Sequence, residues 1–301
     1  MPPPFQTERT AFLTYLRSEK QLSPRTEESY ARDLDKFLHY CDSRQITRLT
    51  DITVHNLREN LAQLHRKGLA GKSLRRWLSA LRAFFNFGLR RGWLKTNPAE
   101  GLQAPRIEKK LPKVLDVDQA GQFVEVRGDD FLARRDRALL ELIYSSGLRL
   151  AEAVGLDIGE LDLREGAVIV TGKGNKSRHL PVGRQAREAL AQWLPERAAV
   201  APADEKAVFI SQRGKRLTHR AVQLRLKHLS LKQGMDEPVH PHMLRHSFAS
   251  HMLESSGDLR LVQELLGHAN ISTTQIYTHL DFQHLAKVYD QAHPRAQKKK
   301  D

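Results

Sequence analysis

Apolar residues recur at helical spacing throughout the first hundred residues, and no strand-like alternation interrupts them. The clearest pattern covers residues 73–89, where leucines share one face and arginines cover the rest. Other helices are predicted to begin near Phe12, at Ser23-Pro24 and near Thr53, because Ser23 suits an N-cap and Pro24 the first helical position. This pattern predicts a compact four-helix unit.

The chain changes character after a segment of prolines and basic residues at 97–112, a composition typical of a linker between domains. Beyond it, β-type runs at 167–170 and 177–182 flank a glycine-rich turn, which predicts a β-hairpin. Helices are predicted at 118–126, 133–144, 184–194, 218–233, 242–255, 258–266, 272–280 and 282–292. We therefore expect a mainly α-helical chain of two domains, 1–106 and 107–301, with a small β-sheet in the second.

The net charge of +14, from 49 Lys and Arg against 35 Asp and Glu, favours a polyanionic partner such as nucleic acid. The excess is concentrated, because the stretch 60–99 holds nine Lys or Arg residues and no Asp or Glu. Cys41 is the only cysteine, which excludes an intramolecular disulfide and a thiolate-rich metal site. Neither a membrane span nor a signal peptide is recognisable, so we expect a cytoplasmic protein without membrane contact.

Two basic residues of the second part lie beside glycines. Arg149 follows Gly147 at a predicted helix start, with Glu152 three residues on, so a plain surface ion pair is one interpretation. Lys173 lies between two glycines at the tip of the predicted hairpin. The missing side chains would let its ammonium approach a ligand closely, although a lysine at such a tip is usually only solvated.

A histidine-rich helix start supplies further candidates. His242 and Arg245 are three residues apart, so one helix face can direct both towards a single anion. His242 and His246 also have the i, i+4 spacing of a metal site, but no carboxylate lies between them, and we favour a structural role for His246. Downstream, His268 follows a glycine break, and Tyr277 lies on a predicted helix where a tyrosine most often serves packing.

The combination is more informative than any single residue. Two guanidiniums, an ammonium, two imidazoles and a phenol suit metal-free transesterification of a phosphodiester, because both guanidiniums can bind non-bridging phosphate oxygens. A phenol with a pKa near 10 is about three units from ionising at neutral pH, an obstacle of roughly 4 kcal/mol that nearby cations or a basic histidine must offset. In chain order the candidates are Arg149, Lys173, His242, Arg245, His268 and Tyr277.

These residues in this order resemble the tyrosine site-specific recombinases, also called the lambda-integrase family, and within it the bacterial Xer recombinases. The resemblance covers nearly the whole chain and is most specific in the stretches 239–249, 251–258, 262–270 and 278–285. It implies a two-domain, C-shaped DNA clamp, with a helical SAM-like core-DNA-binding domain followed by the catalytic domain. It also implies a reaction that requires neither a metal nor another cofactor.

The resemblance assigns each candidate a role. Tyr277 would attack the scissile phosphate to form a 3′-phosphotyrosyl link, with Arg149 and Arg245 clamping the phosphate. His268 would donate a hydrogen bond to the phosphate. His242 would act as general acid or base towards the tyrosine, and Lys173 would donate a proton to the 5′ leaving oxygen. A 5′-hydroxyl of the partner duplex would then attack the phosphotyrosine, and the exchange would pass through a Holliday junction.

The resemblance also implies partners. They are a double-stranded recombination site, a XerD-like recombinase completing a heterotetramer, and a septal DNA translocase, with chromosome dimer resolution at the nucleoid as the task. The C-terminal helix at 282–292 is expected to dock on a neighbouring subunit, and folding back on its own domain is the alternative. The residues expected to contact DNA outside the catalytic centre are Lys72, Arg75, Arg76, Arg82 and Lys109.

Two other functions stay open at this point. The first is an enzyme of the same family with a different biological role, either a XerD-type paralogue or a mobile-element integrase. The other is an architectural DNA-binding protein that has the fold and performs no chemistry.

Overall fold

The computed structural model describes residues 4–105, 113–172, 177–267, 286 and 288–296. The chain divides into two compact units, Met1–Lys110 and Leu111–Asp301, each with its own hydrophobic core. This division lies near the boundary expected at residue 106, and residues 106–112 fall outside the described part of the chain.

Four α-helices form the described part of the first unit, as the apolar spacing predicts: α1 Gln6–Ser18, α2 Pro24–Ser43, α3 Val54–Arg66 and α4 Gly71–Arg90. The predicted start of α2 is confirmed, because the Ser23 hydroxyl accepts a hydrogen bond from the Thr26 amide and Pro24 takes the first helical position. The start of α3 has the same origin, since Thr53 forms a reciprocal capping box with Asn56.

The core of the first unit is aromatic, and α4 supplies much of it. Trp77 and Phe85 are fully buried, and each meets Phe37 of α2 edge-to-face, at centroid distances of 6.4 and 5.9 Å. One carboxylate is buried beside this core. Asp33 of α2 is inaccessible to solvent and accepts hydrogen bonds from Arg76 of α4 and Lys36.

The second unit is helical around a small sheet. Its helices are α5 Val117–Val124, α6 Phe131–Ser146, α7 Leu150–Gly155, α8 Arg184–Val200, α9 His219–Lys232, α10 Pro241–Ser256 and α11 Leu259–Leu266. The described strands are β1 Leu161–Asp162, β2 Ala167–Thr171 and β3 Ser177–Pro181, antiparallel in the order β1-β2-β3. The hairpin of β2 and β3 is confirmed, with Ile169 opposite His179. The two-residue strand β1 was not predicted, because alternation over two residues carries no signal.

Helix α6 forms the centre of the second core. It is buried almost continuously towards its C-terminal end and packs against α5, α8 and α10. The buried Ser146 hydroxyl at its last turn donates to the Pro181 carbonyl at the end of β3, at 2.7 Å. The end of α6 is therefore fixed against both the sheet and α10.

The predicted end of α8 at residue 194 is wrong, because the helix continues through Pro195 to Val200. A proline inside a helix removes one backbone hydrogen bond. Two side chains hold the helix on either side of this gap. Trp193 donates from its indole nitrogen to the Val208 carbonyl at 2.9 Å, and Arg197 donates to the Ala207 carbonyl at 3.0 Å.

The described end of the chain packs on its own domain, as in the alternative to docking on a neighbour, and residues 282–285 and 287 of the predicted helix lie outside the described residues. Residues 288–292 are helical, and Tyr289 is fully buried with its hydroxyl 2.9 Å from that of Ser145. His293 is also buried, and its ring stacks on Tyr289 at 5.0 Å. The burial of Tyr289 could not be predicted, because the surface of α6 that covers it cannot be recognised from spacing alone.

Among the described helices, none is both long and apolar enough to cross a lipid bilayer.

Candidate active site

The turn after α6 places the first candidate arginine. Gly147 ends α6 in the left-handed conformation (φ 60°), and a Cβ built there would lie 2.4 Å from the ring of Phe248. Only glycine therefore allows α10 to approach the turn so closely. Arg149 follows as the N-cap of α7, directly beside α10.

Glu152 joins three arginines. Its carboxylate accepts hydrogen bonds from Arg149 Nη1 at 2.8 Å and from the Arg149 amide at 2.9 Å. Arg178 of β3 approaches from the other side and donates from both terminal nitrogens, each at 3.0 Å. Arg245 Nη1 lies 3.9 Å from the same carboxylate. The structure therefore brings the two predicted guanidiniums, Arg149 and Arg245, to one buried anion.

Arg245 is held by backbone as well as by charge. Its guanidinium donates to the Gly147 carbonyl and, at 2.6 Å, to the carbonyl of Leu266 at the end of α11. It thus bridges the ends of two helices, and only 9% of the residue is exposed. Burial, followed by repulsion from Arg149, lowers the pKa of Arg245 to about 10. The group is still a cation at neutral pH.

The electrostatic state of Glu152 follows from the same contacts. Burial raises the pKa of this carboxyl, but the hydrogen bonds from Arg178 and Arg149 outweigh burial, so the pKa lies below its usual range. The cluster then holds one negative and three positive charges. A net positive site of this kind is suited to bind a phosphate whose charge increases during reaction.

The two histidines of α10 that the sequence analysis considered, His242 and His246, differ from the expectation in part. His242 is largely exposed at the start of α10, and partial desolvation, followed by repulsion from His246, Arg245 and Arg149, lowers its pKa. It therefore lies in the field of the arginine cluster and is neutral at pH 7, as a proton acceptor requires. The structural role predicted for His246 is wrong, because His246 is exposed. The buried histidine of α10 is His251, whose Nδ1 lies 2.8 Å from the Tyr144 hydroxyl.

Three of the six predicted catalytic residues, Lys173, His268 and Tyr277, lie outside the described residues, as does Lys109. The described residue that precedes His268 borders the cluster. Gly267 precedes His268, and a Cβ built on it would lie 3.0 Å from Arg178 Nε. Arg178 itself follows Lys173 by five residues and lies on the second strand of the same hairpin.

Sequence reasoning missed two parts of this arrangement. Glu152 was read as one half of a possible surface pair, whereas its side chain is only 5% exposed and serves three arginines. Arg178 was not singled out at all. Its position two residues into a β-type run, beside apolar Leu180, gave no signal that it would turn towards Glu152.

The basic residues predicted to contact DNA in the first unit fall into two groups. Lys72 and Arg75 are exposed on α4. Arg76 is also exposed, but Arg76 and Arg82 have partners within the unit, since Arg76 binds Asp33 at 2.6 Å and Arg82 donates to the carbonyls of Ala99 and Leu102. Lys72 and Arg75 are thus the better placed of the four to meet an external phosphate.

Within the part of the chain that the structure describes, no group of three or more His, Cys, Asp or Glu side chains is placed to hold a metal ion.

Comparisons with known proteins identify both units. The family described as "Phage integrase family" matches residues 113–284, and "Phage integrase, N-terminal SAM-like domain" matches residues 10–92. Tyrosine recombinase XerC of Pseudomonas syringae pv. syringae (strain B728a) is 56% identical over 290 residues, which is 96% of each chain. Tyrosine recombinase XerC of Stutzerimonas stutzeri (strain A1501) is 56% identical over 297 residues, 98% of this chain and 99% of the relative.

Solved structures agree with these matches. XerH site-specific recombinase bound to palindromic difH substrate in a post-cleavage complex has a TM-score of 0.70 at 26% identity, covering 93% of this chain and 83% of the other. A lambda integrase dimer bound to a COC' core site has a TM-score of 0.68 at 17% identity, covering 90% and 98%, and supports the fold alone. The chain therefore belongs to the phage integrase family, that of the tyrosine recombinases.

Proposed function

We propose that this chain cuts and rejoins DNA at a specific site, with Tyr277 as the nucleophile. The observation that carries the proposal is the convergence of Arg149 and Arg245 on Glu152, with His242 in the field of the same cations. Two converging guanidiniums bind the non-bridging oxygens of one phosphate in the geometry that stabilises a pentacoordinate transition state.

The reaction follows from the chemistry of these groups. The Tyr277 phenol loses its proton, with His242 as acceptor, and its oxygen forms a bond to the scissile phosphorus. The bond from phosphorus to the 5′ oxygen breaks, and Lys173 supplies the proton to that leaving oxygen. His268 donates a hydrogen bond to the phosphate. One phosphate ester replaces another, so the exchange requires no nucleoside triphosphate, and a 5′-hydroxyl of a second duplex completes it by attacking the phosphotyrosine.

The first unit would hold the duplex. Lys72 and Arg75 of α4 are exposed and lie on a helix with no acidic residue in its first turn. We assign phosphate contacts on the recombination site to these two residues and to Lys109. Arg76 and Arg82 would also contact the DNA, but their main contacts are those they make within the unit. Such contacts position the protein on the duplex and make binding dependent on salt.

The cellular role is proposed from the high identity to proteins named XerC. The chain would resolve chromosome dimers at cell division in the bacterial cytoplasm, at the nucleoid. It would act as a heterotetramer with a XerD-like recombinase, and a septal DNA translocase would control the reaction.

A nicked suicide substrate tests the chemistry. The wild-type chain should form a covalent protein–DNA adduct in the presence of EDTA, and Tyr277→Phe should form none while binding the site with nearly unchanged affinity. Recombination by Tyr277→Phe at the wild-type rate would refute the nucleophile. Specific DNA binding by a wild-type chain that never forms an adduct would favour the architectural role.

A further inference from the structure

Arg178 is the arginine of the cluster that has no role in the reaction described above. It lies on β3, and its two terminal nitrogens bind both oxygens of Glu152. Its side chain is 12% exposed, against 40% for Arg149. Both of its terminal nitrogens bind Glu152, whereas Arg149 gives that carboxylate one terminal nitrogen, so Arg178 acts on the reaction through its neighbours.

The charge balance shows what that effect is. Without Arg178, Glu152 would face Arg149 and the more distant Arg245 alone. A carboxylate and a guanidinium prefer a bidentate pair, and Arg149 now gives Glu152 one terminal nitrogen and its backbone amide. Loss of Arg178 would therefore favour a closer pairing of Arg149 with Glu152, which would withdraw Arg149 from a ligand.

We propose that Arg178 is a positioning residue of the recombination reaction, which neutralises Glu152 so that Arg149 and Arg245 can bind the scissile phosphate. This inference rests on the proposed function, since it concerns the same phosphate site. Arg178 occupies the carboxylate from the side of β3, and the cluster retains two positive charges for the transition state.

A second contact ties Arg178 to the other edge of the site. Gly267 is in the left-handed conformation (φ 62°), and a Cβ there would lie 3.0 Å from Arg178 Nε and 3.1 Å from its Cζ. The guanidinium of Arg178 therefore packs directly against the end of α11, whose last carbonyl, that of Leu266, is held by Arg245. One side chain thus links β3, α7 and α11 around the cluster.

Arg178→Met tests the inference, because methionine keeps the apolar stem and removes the charge. We expect the rate of adduct formation on a nicked substrate to fall roughly 10- to 100-fold, less than the 10²–10³ that the loss of a direct transition-state donor costs. DNA affinity should stay near that of the wild type. Arg184→Met is the matched control, since Arg184 forms an exposed i, i+4 pair with Glu188 on α8 and should leave the rate unchanged.

Two measurements distinguish positioning from a merely structural role. A methylphosphonate at the scissile position removes one phosphate charge and with it much of the need for cations, so the defect of Arg178→Met should shrink severalfold on that substrate. A structural defect would be equally large on both substrates. Adding Glu152→Gln to Arg178→Met should recover part of the lost rate, because the unbalanced negative charge is then gone.

The outcomes are separable from those of the proposed function. No adduct from the wild-type chain overturns the proposed function itself. With a wild-type adduct in hand, a wild-type rate for Arg178→Met overturns the role of Arg178 alone. An equal defect on phosphate and methylphosphonate, without recovery in the double variant, likewise overturns positioning and leaves Arg178 a structural residue.

Discussion

Both units bury carboxylates beneath basic side chains, and two of these carboxylates, Asp33 and Glu152, serve different ends. In the first unit, Asp33 is fully buried and binds Arg76 and Lys36, which ties α2 to α4. In the second unit, Glu152 gathers three arginines from α7, β3 and α10. The contacts are alike in distance, but the number of cations differs.

That difference separates a structural ion pair from a reaction site. Asp33 accepts hydrogen bonds from two nitrogens of Arg76, at 2.6 and 3.2 Å, so this arginine forms the bidentate pair with its carboxylate. Arg149 gives Glu152 one terminal nitrogen, at 2.8 Å, while Arg178 supplies the bidentate pair. At Glu152 the additional cation, Arg178, therefore takes the bidentate contact and leaves Arg149 available to a ligand.

The largest difference between the two clusters is expected in the rate of adduct formation when one arginine of each is replaced by lysine. Arg245→Lys loses the planar fork that reaches both Gly147 and Leu266, and we expect adduct formation to slow by roughly 10²- to 10³-fold. Arg76→Lys keeps a charge beside Asp33 and should leave the rate at saturating DNA unchanged. The rate of adduct formation is measured for both variants by quench-flow or on gels. Similar losses of rate in the two variants would contradict the assignment of Asp33 to structure and Glu152 to the reaction site.

Removing each carboxylate should separate stability from chemistry. Asp33→Asn should lower the free energy of unfolding by roughly 1–3 kcal/mol, because a buried charged hydrogen bond is lost, with cleavage preserved once the protein is folded. Glu152→Gln should slow cleavage at a temperature where the protein is still fully folded. Denaturant unfolding and adduct formation are measured on both variants. A slow but fully stable Asp33→Asn protein would reverse the roles assigned to the two sites.

How far the sequence predicts this molecule depends on how local the determinant is. The starts of α2 and α3 follow from Ser23, Pro24 and Thr53, because capping acts within a few residues. The continuation of α8 through Pro195 could not be predicted, since it depends on hydrogen bonds to carbonyls at 207 and 208.

The candidate site follows the same rule. Arg149 and Arg245 were predicted from chemistry and order, and the structure brings them together. The role of Arg178 could not be predicted, because its carboxylate partner lies 26 positions away. The burial of Tyr289 against Ser145 was missed for the same reason, at a separation of 144 positions.

Acid should reveal the lowered pKa of Glu152. Its folded-state pKa lies below its ordinary value, so its contribution to stability is complete above the ordinary glutamate pKa of about 4.3 and is lost as pH falls through the folded value. The unfolding free energy of the wild type should therefore fall more steeply below pH 5 than that of Glu152→Gln, by roughly 1 kcal/mol or less. Parallel curves from urea titrations at each pH would contradict the charged state assigned to Glu152.

The smallest effect is expected at the exposed basic residues of α4. Lys72→Ala and Arg75→Ala should each weaken DNA binding modestly and reduce the slope of log affinity against log salt by about 1, because each phosphate contact releases counterions. Cleavage at saturating DNA should stay at the wild-type rate. Fluorescence anisotropy over a salt series measures the slope, and an unchanged slope in both variants would exclude these residues from the interface.

The most direct test of the whole account is to find the atom that carries the DNA. A nicked suicide site is incubated with the wild-type chain in EDTA, and the adduct is digested and sequenced by mass spectrometry. We expect a 3′-linked nucleotide on the peptide that contains Tyr277, and a severe loss of that product in Arg245→Lys. A nucleotide on any other residue, or an adduct formed only when a divalent metal is present, would contradict it.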